Sequence, residues 1–372
     1  MSTPTDTDAG TPRYSGPRRI GGITRLAANE LPTPPPAPVR AAVTNEVRLN
    51  RYPDPDCADL VAALATHLRT APEHIMLGAG SSSILQRLTR VVCTNPDDTV
   101  LWTTPAFAAF DVFAQQADIG VQRVPHHGGK TIDLDAILAA VTPTTRMIII
   151  ASPHNPTGVV ARGAELRAFL DQIADDITVV LDEAYHEFVT DPLVADGAEL
   201  AQARWSAGHD NLVVIRTFSK AFGLAGARIG YGIAPVALAR TVRDAAVPRE
   251  IGADAQVAAV AALRSHAAMR ANVARIVDER ARVLTELRRI GYAPTVSQGN
   301  FVWLPLIEDS GRFAAHCYDD GVLVLDVADQ GVRVTIGSPS DNDCFLRTAH
   351  TWIAGTGDTG APARLQTRPE KQ

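Results

Sequence analysis

An α/β fold is predicted for this chain, and three observations predict it. Uninterrupted apolar runs recur along its first two thirds: Ile75-Met76-Leu77, Val100-Leu101-Trp102, Met147-Ile148-Ile149-Ile150, Thr178-Val179-Val180-Leu181 and Leu212-Val213-Val214-Ile215. Runs without polar alternation suit strands that are covered on both faces. Helical spacing fills the intervals at residues 60–68, 84–92 and 164–173, and strand-helix alternation marks a sheet built from crossover units. After Pro248 the pattern changes. Met269, Val273, Ile276, Val277, Val283, Leu284 and Leu287 form one stripe of a long helix whose arginine-rich opposite face reads as solvated. The short runs 301–304, 321–325 and 332–336 then suggest a small second sheet, with a domain boundary near residue 250.

Bulk properties narrow the function. A chain of 372 residues with 46% hydrophobic composition can bury a large core and fill two domains. Its 35 basic and 41 acidic residues are interspersed, for a net charge of -6, which leaves no electrostatic footprint for nucleic acid. Cys57, Cys93, Cys317 and Cys344 lie far apart, without C-x-x-C pairs or zinc-type histidine spacing, so no metal site or disulfide framework is indicated and a cytoplasmic protein is expected. No apolar run reaches membrane-spanning length, and residues 1–16 lack the apolar core of a signal peptide. Tails 1–17 and 355–372, rich in Gly, Pro and Thr, are expected to be disordered. Between them we expect an N-terminal arm (18–49), a large domain (50–250) and a small domain (251–354). The arm holds Leu31-Pro32-Thr33-Pro34-Pro35-Pro36-Ala37-Pro38, which reads as an extended segment across the body rather than a polyproline ligand.

Function is carried by the stretch Thr217-Phe218-Ser219-Lys220, which ends the apolar run at Leu212. A lysine at the mouth of a buried strand loses solvation and its pKa falls, and a neutral amine is what carbonyl chemistry requires. Thr217, Ser219 and Arg228 supply hydroxyls and a guanidinium fork suited to a phosphate monoester. Lysine beside a phosphate anchor suggests pyridoxal phosphate. Gly223, Gly226 and Gly230 do not have G-x-G-x-x-G spacing, which disfavours a nicotinamide-dependent dehydrogenase. Two more apolar runs end in polar turns, at Ser152-Pro153-His154-Asn155-Pro156-Thr157-Gly158 and at Asp182-Glu183-Ala184-Tyr185. In an open α/β sheet, residues in such places converge on a ligand crevice.

These motifs, with Asn29-Glu30, Asn50-Arg51-Tyr52-Pro53-Asp54, Gly78-Ala79-Gly80-Ser81, Asn300-Phe301-Val302-Trp303-Leu304 and Gly331-Val332-Arg333-Val334-Thr335-Ile336-Gly337, resemble the fold-type I pyridoxal-phosphate aminotransferases. The likeness is greatest to the histidinol-phosphate and aromatic aminotransferase branch, and it covers roughly residues 20–353. It implies a mostly parallel seven-stranded sheet between helices, a smaller α+β C-terminal domain and an obligate homodimer. It also implies a site in which Lys220 bonds the cofactor and moves the substrate proton, and Asp182 pairs with the pyridine nitrogen. Tyr185 and Asn155 would bond the ring oxygen, and Phe107 would stack on the ring. Gly80, Ser81 and Ser82, opening a helix, would hold the phosphate with Thr217, Ser219, Arg228 and the neighbouring subunit's copy of Tyr52. Arg333 would bind the substrate α-carboxylate, with Asn29 and Asn155 alongside.

The activity implied is transfer of an amino group between an amino acid and a 2-oxo acid. A decarboxylase on the same scaffold and a cofactor-binding regulatory module are the rival readings, the latter disfavoured by the full residue set. Three departures bear on the substrate. Ser83 stands where an acid is common, Pro248-Arg249-Glu250 replaces Pro-Phe-Asn, and Leu325-Asp326 replaces an arginine before proline. Leu325 suits an aromatic or other apolar side chain, whereas histidinol phosphate would lack a charge-assisted contact. Asp326, if inward, would suit a cationic or non-proteinogenic amino acid, and strand alternation lets only one of the two residues point in.

Overall fold

The computed structural model describes residues 22–126 and 131–356, so the expected tail 1–17, the first residues of the arm and residues 357–372 lie outside it. In chain order the strands are β1 (Thr24–Arg25), β2 (Ile75–Gly78), β3 (Thr99–Thr104), β4 (Gly120–Pro125), β5 (Thr145–Ala151), β6 (Thr178–Asp182) and β7 (Leu212–Thr217). They continue with β8 (Gly230–Ile233), β9 (Phe301–Leu304), β10 (Val322–Leu323), β11 (Leu325–Val327) and β12 (Gly331–Thr335).

Seven strands form the large sheet in the order β2-β8-β7-β6-β5-β3-β4. The five from β7 to β4 are parallel, and β8 runs antiparallel to both of its neighbours. Alternate residues feed two cores, because successive side chains leave opposite faces of a strand. Met147, Ile149, Val180, Val213 and Ile215 pack with Ile84, Leu85 and Leu88 of helix Ser81–Val92. Ile148, Ile150, Val179, Leu181, Leu212 and Val214 join the larger cluster with Leu166 and Leu170 of helix Gly163–Leu170. That double cover is why the runs read as continuously apolar.

β8 has little apolar signal because glycine is required there: a Cβ at Gly230 would sit 2.1 Å from the Ser81 nitrogen. Backbone therefore lies on backbone where β8 passes the start of helix Ser81–Val92. In the arm, the proline-rich segment gives way to helix Ala37–Glu46, with Pro36 at its N-cap and proline in its first turn, where a missing N–H costs nothing.

β11, β12 and β9 form a small antiparallel sheet, while β10 pairs in parallel with β1 of the arm. The run 321–325, read as one strand, is thus two: it breaks at the buried Val324 because its halves hydrogen-bond to different partners. The apolar stripe lies on helix His266–Arg289, as expected. Its arginines are not all solvated, however. Arg280 is 4% exposed and donates to the carbonyls of Phe188 (3.2 Å) and Gly299 (2.8 Å), and burial lowers its pKa to about 10. No helix among the described residues is long and apolar enough to cross a membrane.

Candidate active site

Polar residues collect where β5, β6 and β7 end. Asp182 is the last residue of β6, paired with Ala151 on one side and Ile215 on the other. Its carboxylate accepts from the Ala184 N–H at 3.1 Å, and burial raises its pKa to about 6. A carboxylate so placed gains from a cationic partner. Lys220 follows β7, and its Nζ donates to the Ala28 carbonyl at 3.0 Å and lies 5.8 Å from the centre of the Tyr185 ring. Burial, reinforced by the Arg333 charge, lowers its pKa to about 7. The depressed lysine expected from the sequence is therefore present.

Arg333, on β12 and 6% exposed, joins the small sheet to the large one. It donates to Asn155 Oδ1 at 2.6 Å and to the Ala27 carbonyl at 2.5 Å. The arm's residues 26–29 thus run across the site as a strap. The Leu26 carbonyl accepts from the Thr335 N–H at 2.8 Å, and the carbonyls of Ala27 and Ala28 accept from Arg333 and Lys220. Asn29, in the left-handed region at φ 54°, is fully buried. Its Nδ2 donates to the Tyr185 hydroxyl and its Oδ1 accepts from the Thr335 hydroxyl, both at 2.9 Å, while its carbonyl accepts from Asn300 at 3.1 Å. The Asn29 side chain, expected to meet substrate, is thus engaged by Tyr185 and Thr335.

On the other side of the strand ends, Gly80 (φ 83°) caps helix Ser81–Val92, whose first residues are Ser81 and Ser82. A Cβ at Gly80 would stand 2.6 Å from Arg228 Nη2, so the guanidinium lies directly over the helix N-terminus. Arg228 comes just before β8, and it too is left-handed, at φ 54°. Ser219 and Thr217 are buried nearby in the chain, the Ser219 N–H donating to Thr217 Oγ1 at 3.0 Å. Phe107 packs edge-on to Phe110 at 5.7 Å. Tyr52 is 88% exposed, with the Arg249 guanidinium 5.4 Å from its ring centre. Leu325 sits across from Arg333 in the β11-β12 pair.

Two supporting groups were missed in the sequence. His154 bridges Thr103 Oγ1 (3.1 Å) and Thr157 Oγ1 (2.7 Å), tying the turn that carries Asn155 to β3. Burial, with His126 nearby, lowers its pKa to about 3, so it works as a neutral ring. Behind Asp182, Arg216 Nη2 lies 2.7 Å from Glu183 and 3.0 Å from Asp196. His186 Nε2 is 3.2 Å from Asp196. Arg216 directly follows the apolar run 212–215, and nothing local marked its partners.

Pyridoxal phosphate fits these residues. A backbone cup under a guanidinium suits a phosphate, a buried carboxylate with a raised pKa suits a protonated ring nitrogen, and a lysine near pKa 7 suits an aldehyde. The comparisons agree with the fit. The family model for aminotransferase class I and II matches residues 22–348. An aromatic amino acid aminotransferase of Rhodococcus jostii is 42% identical over 91% of this chain and 92% of its own length. One of Streptomyces avermitilis is 41% identical over 87% of this chain and 89% of its own. Histidinol-phosphate aminotransferase from Sinorhizobium meliloti, solved with pyridoxal 5'-phosphate, superimposes with a TM-score of 0.82 at 26% identity, covering 90% of this chain and 92% of that one. The chain belongs to the class I and II aminotransferases, pyridoxal-phosphate enzymes of fold type I.

Proposed function

We propose that this aminotransferase acts on amino acids with aromatic or other large apolar side chains. The observation that carries this is the register of β11 on β12: Leu325 opposes Arg333, and Asp326 opposes Val332. Opposed residues of an antiparallel pair point to the same face. Leu325 therefore shares the face of the arginine that would hold the substrate α-carboxylate, and Trp303, opposite Arg333 on β9, shares it too. Asp326 points to the other face, which argues against a cationic substrate. Relatives named aromatic amino acid aminotransferase support the same reading.

Pyridoxal phosphate, when bound, supplies an aldehyde that bonds amines and a protonated ring that takes up the electron pair of a broken Cα–H bond. We assign Asp182 to the ring nitrogen, Asn155 and Tyr185 to the ring oxygen, Phe107 to the ring face, and Gly80, Ser81, Ser82, Thr217, Ser219 and Arg228 to the phosphate. Lys220, as a neutral amine, would take the proton from the substrate Cα and return it two bonds away, to the carbon on the far side of the amino nitrogen. Arg333 and Asn155 hold the α-carboxylate, Arg333 exchanging the Ala27 carbonyl for a charged acceptor.

The exposed Tyr52 is assigned to the phosphate of a second subunit in a cytoplasmic homodimer, with 50–250 as the large domain and 251–354 as the small one. The deciding experiment compares kcat/KM for phenylalanine, histidinol phosphate and arginine in the purified holoenzyme. Preference for phenylalanine is expected, and preference for either of the others overturns the reading.

A further inference from the structure

Beneath the phosphate cup lies a charge cluster that belongs to none of the assigned contacts. Glu250, on the segment between helices Val236–Asp244 and Ala253–Arg264, reaches back to helix Ser81–Val92. Its Oε2 accepts from Ser83 Oγ at 2.9 Å, and its Oε1 lies 3.0 Å from Arg87 Nη2. The glutamate side chain is 16% exposed and the arginine side chain 9%, so water screens the pair poorly. Arg87 also donates to the carbonyls of Leu77 (2.5 Å), Ser83 (3.2 Å) and Val242 (3.2 Å). Leu77 is two residues before the loop Ala79-Gly80, and Ser83 is the third residue of the helix whose first N–H groups form the cup.

We propose that Glu250 is a positioning residue for the cofactor phosphate. Its carboxylate fixes the first helical turn through Ser83 and balances the charge of Arg87, so Arg87 can grip both sides of the Gly80 loop. Without it, Arg87 is a buried cation short of a partner, and such a group rearranges its surroundings or draws in water. The N–H groups of Gly80, Ser81 and Ser82 then lose their common aim. Because the acid is bonded to the side of the helix and neutralised, it does not repel the phosphate. Its charge can also be moved: an aspartate at position 83 places a carboxylate next to Arg87 from the helix itself.

This inference rests on reading the cup as the phosphate site, and the test separates the two. Apo-protein is titrated with pyridoxal phosphate and with pyridoxal, which lacks the phosphate, following absorbance and protein fluorescence. The parent should bind pyridoxal phosphate far more tightly; equal affinity for the two would overturn the cup reading itself. Glu250→Gln, which keeps shape and loses charge, should weaken pyridoxal phosphate about tenfold, the scale of one charge-assisted hydrogen bond, and leave pyridoxal unchanged. Ser83→Asp alone, with two acids facing one arginine, should also weaken it. The double variant Ser83→Asp with Glu250→Asn should recover most of the loss. Equal weakening of both ligands, no weakening, or a double variant no better than the poorer single would overturn the role of Glu250.

Discussion

The Tyr185 hydroxyl accepts a hydrogen bond from Asn29 Nδ2 at 2.9 Å, across 156 residues of sequence. Asn29 in turn is held by Thr335, so the arm and the small sheet together fix the position of a phenol on the large domain. Asn29→Ala removes both bonds. We expect kcat to fall about ten- to hundredfold, as catalytic groups lose their alignment, with a shifted absorbance band of the bound cofactor. An unchanged spectrum and kcat would show that Tyr185 needs no such support.

Lys220 sets a pH dependence on cofactor loading. Its ammonium would ordinarily persist to about pH 10.5, but burial and Arg333 lower the pKa to about 7. The neutral amine therefore accumulates as pH rises through 7. The rate at which apo-protein takes up cofactor should climb from pH 6 to 8 and level off above, with hydride reduction and peptide mapping labelling Lys220. A rate still rising steeply between pH 9 and 10 would mean that the lysine is not depressed.

Specificity can be moved by one residue. Leu325→Arg places a guanidinium on the face shared with Arg333 and Trp303. A charge-assisted contact contributes about 1.5 to 3 kcal/mol, so kcat/KM for histidinol phosphate should rise about ten- to hundredfold while that for phenylalanine falls. If Asp326→Arg gave the gain and Leu325→Arg did not, the assigned face would be wrong.

The network behind Asp182 makes stability depend on pH in the alkaline range. Burial opposes the charge on His186, yet Glu183 and Asp196 outweigh it and raise the pKa from 6.5 to about 10. A raised pKa means the folded state holds a proton that the unfolded chain releases. The stabilisation is complete below pH 6.5 and is lost as pH rises through about 10. The Tm advantage of the parent over His186→Leu should shrink steadily across that interval, and a constant difference would refute it. Glu183→Gln, which leaves Arg216 buried against only the more solvent-screened charge of Asp196, should cost on the order of 3 to 5 kcal/mol at neutral pH.

Elements with a strong one-dimensional signal were legible: β5, β6 and β7 are apolar on both faces, and Asn155, Asp182 and Lys220 lie at or just beyond their ends. β8 was not, because close backbone packing on Ser81 demands glycine where a strand signal would put valine. Helix Ala37–Glu46 hid behind prolines that are compatible with a first turn but also with an extended arm. His154, Arg216, Arg280 and Glu250 were illegible for a common reason. Each is a polar residue with a partner far off in sequence or on another strand, so only the tertiary fold brings the two together.

The strap has a consequence for synthesis. Residues 26–29 leave the ribosome well before their partners Arg333 and Thr335, 306 residues earlier in the case of Asn29 and Thr335. The large sheet can form as soon as β8 has emerged, bringing Lys220, Asp182 and the Gly80 cup into place. A nascent chain at that stage has the residues we assign to the cofactor but neither Arg333 nor the strap's anchor on β12. Cofactor capture can therefore precede competence to bind an amino acid, and a chain released before Thr335 would be a holder of cofactor and not a transaminase.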